Sequence, residues 1–306
     1  MDLEAYAKKI QKLLSKKEKQ ALKKIRKQYE LIINEILLML SELYMRLETE
    51  GTLSYSDVRR FNDIDRLQRR IRAQAVLLGD SNRRILNDLL EESYDLSYSF
   101  MSYGIEKEAS VLLSDATPNI FGILQQNFDN PIYGLRLSAA LERDRIFVVS
   151  DINAAIERGL IAGENYSGIA REIRGVFKSS YKRSVKIART ETHRVRERAM
   201  QDSSLNADKQ GVKMVKIWRN MDDERVRKTK KANHVQMEKQ TVPVDQPFVT
   251  IPDGLKGMCP GSMGAAHHDI NCRCYASRRI SHIESQVPKQ VVKEVFEDWN
   301  RIKRAG

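Results

Sequence analysis

Cysteine and proline are scarce in this sequence of 306 residues, which holds three of the first and seven of the second. So few cysteines exclude a disulfide-built scaffold, and their odd number leaves at least one unpaired. No run reaches the roughly eighteen apolar residues of a membrane span. The most apolar stretch, LIINEILLML at 31–40, is interrupted by Asn34 and Glu35. The opening segment MDLEAYAKKIQKLLSKKEKQ has no apolar signal core, so a secretory leader is not expected. Also missing are a Gly-rich Lys-Ser/Thr phosphate loop, paired Cys-x-x-Cys hooks and an aromatic platform for stacking bases.

What is present is charge on long helices. Apolar residues recur at three-and-four spacing from Leu3 through Tyr6, Ile10, Leu14, Ile25, Tyr29, Ile32, Ile36, Leu40 and Leu43 to Leu47, with no Gly or Pro before Gly51. This pattern predicts one long helix or two collinear ones over 2–49. Its first half is basic and thinly apolar, which suggests a projecting arm ahead of a packed stem. Transient membrane contact by that arm stays open, beside the more ordinary packing against a core or partner helix. Ser54 and Asp57 predict a capped helix from about 55 to 78, and Gly79, Asp80 and Ser81 predict a break before another helix over 82–113. Pro118, Gly122, Pro131 and Gly134 predict turns across 115–134. Further helices are expected over 135–149, 152–160, 167–176 and 180–203, with His193 exposed or partly packed.

After residue 203 the period changes. GVKMVKIW at 211–218 alternates as a short strand, with Trp218 available to a core. Residues 241–251, rich in Val but carrying Pro243 and Pro247, fit irregular edge strands. Residues 285–301 read as a loosely attached tail with a short helix near 291–299. The fold class is therefore α+β, an extended mainly helical N-terminal region followed by a small mixed α+β C-terminal domain. The expected segments are long helices over 1–165, basic linking helices over 166–205, the small domain over 206–282 and a tail over 283–306.

The formal net charge of +12 is unevenly spread, because residues 166–240 hold 20 Lys and Arg against 9 Asp and Glu. Such a concentration points equally to a polyanion partner and to a solvated helix face. Contacts to duplex phosphates without base reading would come from Arg189, Arg194, Arg196, Arg198, Arg225, Arg227, Lys228, Lys230 and Lys231.

All three cysteines fall between Met258 and Ile280. Cys272 and Cys274 form a Cys-x-Cys pair that, on a strand, would share one face while Arg273 takes the other. Together with Cys259 and either His267 or His268 they make a candidate tetrahedral zinc set, although reduced structural cysteines are the commoner outcome. Cysteine catalysis has less support, since no group can be placed to orient the histidines.

The order of several short motifs adds a resemblance. ARTE at Ala188–Glu191, the strand ending at Trp218, DERVR from Asp223, His234, VPVDQPF through Phe248 and INCRC with Asn271 follow one another as in the head-morphogenesis family of tailed bacteriophages. These are minor capsid proteins with a Mu F-like C-terminal domain, and the long helical region is similar to that of portal-associated members. Here KTKKAN extends the interval before His234, and Lys239 stands where the family commonly turns with Gly. The resemblance adds His234 to the candidate metal ligands and gives Glu191, Trp218, Asp223, Phe248 and Asn271 structural roles. It implies a non-enzymatic protein in the virion and procapsid interior near the portal, assembled in the host bacterial cytoplasm. Its partners would be portal protein, scaffold or major coat protein, and double-stranded DNA without sequence specificity. Related domains are attached to toxins, but no toxin-sized region is expected here. The alternatives are a metal- or cysteine-dependent nuclease and a free nonspecific DNA-binding protein.

Overall fold

A computed structural model describes residues 2–47, 53, 56, 58, 62–114 and 137–305. Its helices are α1 (Leu3–Leu47), α2 (Asp63–Ala109), α3 (Leu137–Ile161), α4 (Tyr166–Lys209), α5 (Ala266–Asp269) and α6 (Phe296–Ala305). Its strands are β1 (Val212–Arg219), β2 (Thr241–Pro243), β3 (Phe248–Val249), β4 (Lys256–Gly257) and β5 (Tyr275–Ile283). The architecture is α+β. The chain forms two compact units: Lys19–Asn87 with Leu137–Ala188, and Met1–Glu18 with Asp88–Arg136 and Arg189–Gly306.

The first of these units is helical among its described residues. Ile25, Tyr29, Ile36 and Leu40 of α1, Leu67, Ile71 and Leu78 of α2, Ile152 and Ile156 of α3, and Ile173 and Phe177 of α4 are all buried. Each set repeats at helical spacing, so each helix turns one stripe inward. Tyr29 Oη lies 2.7 Å from Ser180 Oγ and 2.8 Å from Ser184 Oγ, and burial pushes its pKa up to about 12.

The break expected at Gly79 does not occur, and α2 runs straight through it. A mid-helix glycine costs only about 1 kcal/mol relative to alanine. Here Ala75, Leu78, Asn82 and Leu86 are buried on either side, which outweighs that cost. For the same reason α3 spans the expected gap at 150–151, and α4 joins the two helices expected over 167–203. The cap at Ser54 and Asp57 and the turns over 115–134 lie outside the described residues.

The second unit combines helix ends with the small sheets. Leu3, Tyr6, Ala7, Ile10 and Leu14 pack with Phe100, Met101, Tyr103 and Ile105, so the start of α1 is core rather than a projecting arm. Among the described residues, no helix is long and apolar enough to cross a membrane. A three-stranded sheet has the order β2-β1-β5, with both pairings antiparallel and a bulge at Lys213/Met214. Pro243 sits on the edge strand β2, where a missing N–H is tolerated. A second, smaller core gathers Trp218, Met237, Phe248, Met263, Cys272, Cys274 and Ala276.

The C-terminal segment is not loosely attached. Helix α6 begins at Phe296, five residues later than expected, and its Trp299 is buried in the larger core beside Tyr103. The sequence reading missed this because three-residue apolar spacing in a basic tail carries no information about a distant acceptor, which here is Glu106.

Candidate functional site

Between β1 and β2 the chain makes a compact irregular excursion. Trp218 N–H donates to Gln240 O and Lys239 N–H to Trp218 O, which closes its base. Lys239 takes a φ of +68°, the left-handed region that glycine occupies without strain. Farther out, His234 N–H donates to Arg227 O, Thr229 N–H to Ala232 O, and Ala232 N–H to Thr229 Oγ1. The resulting turn exposes Lys228, Lys230 and Lys231 while Ala232 and His234 point inward. Arg227 is half-buried and donates to the carbonyls of His268 and Ile270, tying the turn to α5 and to the segment that follows it.

Cys272 and Cys274 lie immediately ahead of β5 rather than on it. Both nevertheless point inward, and Arg273 points away to pair with Asp223, which also pairs with Arg225. His234 Nδ1 lies 3.8 Å from Cys272 Sγ and 3.4 Å from Cys274 Sγ. On its other side His234 Nε2 is 2.9 Å from His268 Nδ1, and His268 Nε2 is 3.1 Å from Asp253. Burial pushes the Asp253 carboxyl upward, but hydrogen bonds from His267, Thr250 and His268 together hold it well below the usual carboxylate range. The thiol of Cys274 hydrogen-bonds Cys272 and, with His193 and His234, holds the Cys272 pKa well below that of an ordinary thiol.

The six sequence-predicted ligands therefore separate. His234, Cys272 and Cys274 converge, and all three are buried. His267 and His268 converge on Asp253 instead, with His268 as the link between the groups. Cys259 belongs to neither: it is buried against Ser262, and burial raises its pKa to about 11. Trp218 and Phe248 meet edge to face at 5.4 Å, and Asn271, at a φ of +52°, donates its N–H to Thr190 Oγ1.

The basic stretch of α4 is largely internal. Arg194 and Arg196 are buried, paired with Glu191 and Glu197, and Arg194 Nε donates to Gly261 O at 3.1 Å. A Cβ on Gly261 would meet Arg194 Cγ at 3.1 Å, so the close approach depends on glycine. Burial raises the Glu191 pKa despite Arg194. Arg194 and Arg196 are thus not surface contacts for a duplex; their charge is satisfied inside the protein. Arg189 pairs with Glu18 and Arg198 with Asp202, both on more accessible ground. Arg225, Lys228, Lys230 and Lys231 are exposed.

Two site residues escaped the sequence reading. His193, expected to be exposed or partly packed, is buried and accepts from Arg196 Nη2 through Nδ1 at 2.9 Å. Lys216 is fully buried on the inner face of β1, with Nζ donating to Met258 O at 2.7 Å and Val244 O at 3.0 Å. Strand alternation carried a signal for Lys216, since it shares the parity of Met214 and Trp218.

A family model described as Phage Mu protein F like protein matches residues 150–277. Over 299 residues the chain is 30% identical to the minor head protein GP7 of Bacillus phage SPP1, and the alignment covers 94% of each protein. It is also 29% identical over 192 residues to NAD(+)--arginine ADP-ribosyltransferase EFV of Enterococcus faecalis (strain ATCC 700802 / V583), covering 63% of this chain and 38% of that protein. No solved structure matches. The near full-length alignment, together with a Mu F-like match that takes in the whole basic turn and both cysteines of the Cys-x-Cys pair, means that this chain belongs to the Phage Mu F-like family of phage minor head proteins.

Proposed function

We propose that this protein is a portal-associated minor head protein of a tailed phage, built into the procapsid and assisting head assembly and genome packaging or ejection. The observation that carries the reading is the alignment with a minor head protein over 94% of both chains. The alignment with the ADP-ribosyltransferase covers only 38% of that enzyme, which favours a shared module over a shared activity. A nuclease built on His234, His267 and His268 gains little, because His234 is buried with Cys272 and Cys274 while His267 and His268 meet Asp253 in a separate group. Within the head, the exposed Lys228, Lys230 and Lys231 would meet phosphates without reading bases. Arg189, Arg198 and Arg225 are secondary candidates, each already paired with a carboxylate.

Procapsids assembled with and without portal protein test the reading. The protein is expected in the portal-containing particles and depleted from the others; equal amounts in both would overturn portal association. DNA contact is tested by salt titration. Neutralising Lys228, Lys230 and Lys231 should flatten the plot of log affinity against log salt by roughly 2 to 3, at about 0.9 per phosphate contact. An unchanged slope would remove the turn from the DNA interface.

A further inference from the structure

We propose that His193, His234, Cys272 and Cys274 form a site for a zinc-type divalent cation that clamps the basic turn and the Cys-x-Cys segment to helix α4.

Hydrogen positions follow one another along a chain of rings. Asp253 only accepts, so the His268 nitrogen facing it, Nε2, is the one that carries hydrogen. In a neutral ring this leaves a lone pair on His268 Nδ1, which accepts from His234 Nε2 at 2.9 Å. His234 Nδ1 is then a lone pair as well, and it faces the two sulfurs. A carboxylate behind a histidine that in turn orients a ligating histidine is the outer-shell pattern that fixes tautomer and ring direction at metal centres.

The spacing fits the same ion. Tetrahedral zinc with its usual sulfur and nitrogen bond lengths separates a sulfur from a nitrogen ligand by about 3.6 Å. The observed separations from His234 Nδ1 are 3.4 Å to Cys274 and 3.8 Å to Cys272. All three ligand atoms lie within 4.8 Å of one another.

His193 supplies the fourth vertex by turning its ring, since it lies outside the three ligand atoms that already converge within 4.8 Å. Its ring borders Cys272, and its Nε2 is buried without a hydrogen-bond partner. Arg196, which can only donate, makes Nδ1 the acceptor and leaves the hydrogen on Nε2. On coordination that hydrogen transfers to Nδ1 and Arg196 Nη2 leaves this contact, keeping its bond to Glu197 at 2.9 Å. The two sulfurs bind as thiolates, and any protons they carry pass to solvent. Cys259, His267 and His268 stay outside the coordination sphere.

Such an ion would answer a structural need. The core around Trp218 is small, and strands β3 and β4 have two residues each. A small core of this kind gains most from a cross-link between distant segments, and the four ligands come from α4, the basic turn and the approach to β5.

The test uses the full chain purified under reducing conditions without chelators. About one zinc per chain is expected, and exchange for cobalt(II) should give the intense visible bands of a tetrahedral site with a sulfur-to-cobalt band in the near ultraviolet. Zinc-free protein that also fails to take up cobalt would overturn the site, independently of any variant. The double variant Cys272→Ser/Cys274→Ser should lose the ion, whereas Cys259→Ser and His267→Ala should retain it; the reverse pattern would also overturn the assignment. His193→Ala should weaken binding by tenfold or more and alter the visible cobalt bands, and wild-type affinity with unchanged bands would remove His193 from the site. These readouts do not involve portal or DNA, so failure here and failure of the head-protein reading remain distinguishable.

Discussion

Trp299 donates its indole N–H to Glu106 Oε2 at 2.6 Å, joining the last helix of the chain to the end of α2. Glu106 is fully buried and also accepts from Leu113 N–H at 2.9 Å and pairs with Lys303 at 2.8 Å. The contact thus joins burial of an aromatic ring to satisfaction of a buried charge.

Trp299→Ala should therefore destabilise the protein by about 3–5 kcal/mol, the usual cost of emptying a large aromatic site. Trp299→Phe should cost less, since Leu113 and Lys303 continue to hold Glu106. Denaturant unfolding measures both, and a Trp299→Ala variant within experimental error of wild type would mean that α6 is loosely held after all.

Lys216 predicts a pH dependence. Desolvation lowers its pKa from 10.5 to about 8 in the folded protein. Between these values the unfolded chain binds more protons, so this group's contribution to stability improves as pH rises. Below about 8 both states are protonated and the burial penalty is fully present. The stability of wild type relative to Lys216→Met should accordingly be flat below pH 8 and climb up to about 10.5. A difference that stays constant across that window would show that Lys216 is not desolvated in solution.

The arginines of α4 and the lysines of the turn should separate in their effects. Arg196→Ala leaves Glu197 buried without its main counter-charge, and breaking such a pair typically costs about 3–5 kcal/mol. Its DNA salt slope should stay near that of wild type. Neutralising Lys228, Lys230 and Lys231 should leave stability within about 0.5 kcal/mol of wild type, as expected of surface changes. Equal loss of stability from both sets would contradict the burial that distinguishes them.

Lys239 offers a stabilising change. Its left-handed backbone costs a non-glycine residue about 1 kcal/mol. Lys239→Gly should be neutral to stabilising by up to about 1 kcal/mol, while the β-branched Lys239→Val should destabilise. Thermal unfolding of the pair gives the comparison, and a Val variant more stable than the Gly variant would refute the strain argument.

Much of this molecule follows from local pattern. Three-and-four spacing along α1 is enough to predict a helix from Leu3 to Leu47, because a stripe of that width must be buried. Two-residue alternation marks β1, and the Cys-x-Cys geometry correctly separates two inward thiols from an outward Arg273. A helix break at Gly79 is what the local preference favours, and the burial around it overrides that preference.

The candidate site was less legible, since its meaning depends on partners far away in the chain. Sequence alone determined which residue types were available: two neighbouring cysteines, a few histidines and a basic quarter. Tertiary structure alone decided that Arg194 meets Gly261, that Glu197 Oε2 accepts from Ala276 N–H at 3.1 Å, and that His268 stands between Asp253 and His234. The physical reason is that helix and strand periods report which face is apolar, whereas the burial and pairing of a charge depend on long-range contacts that no local period encodes.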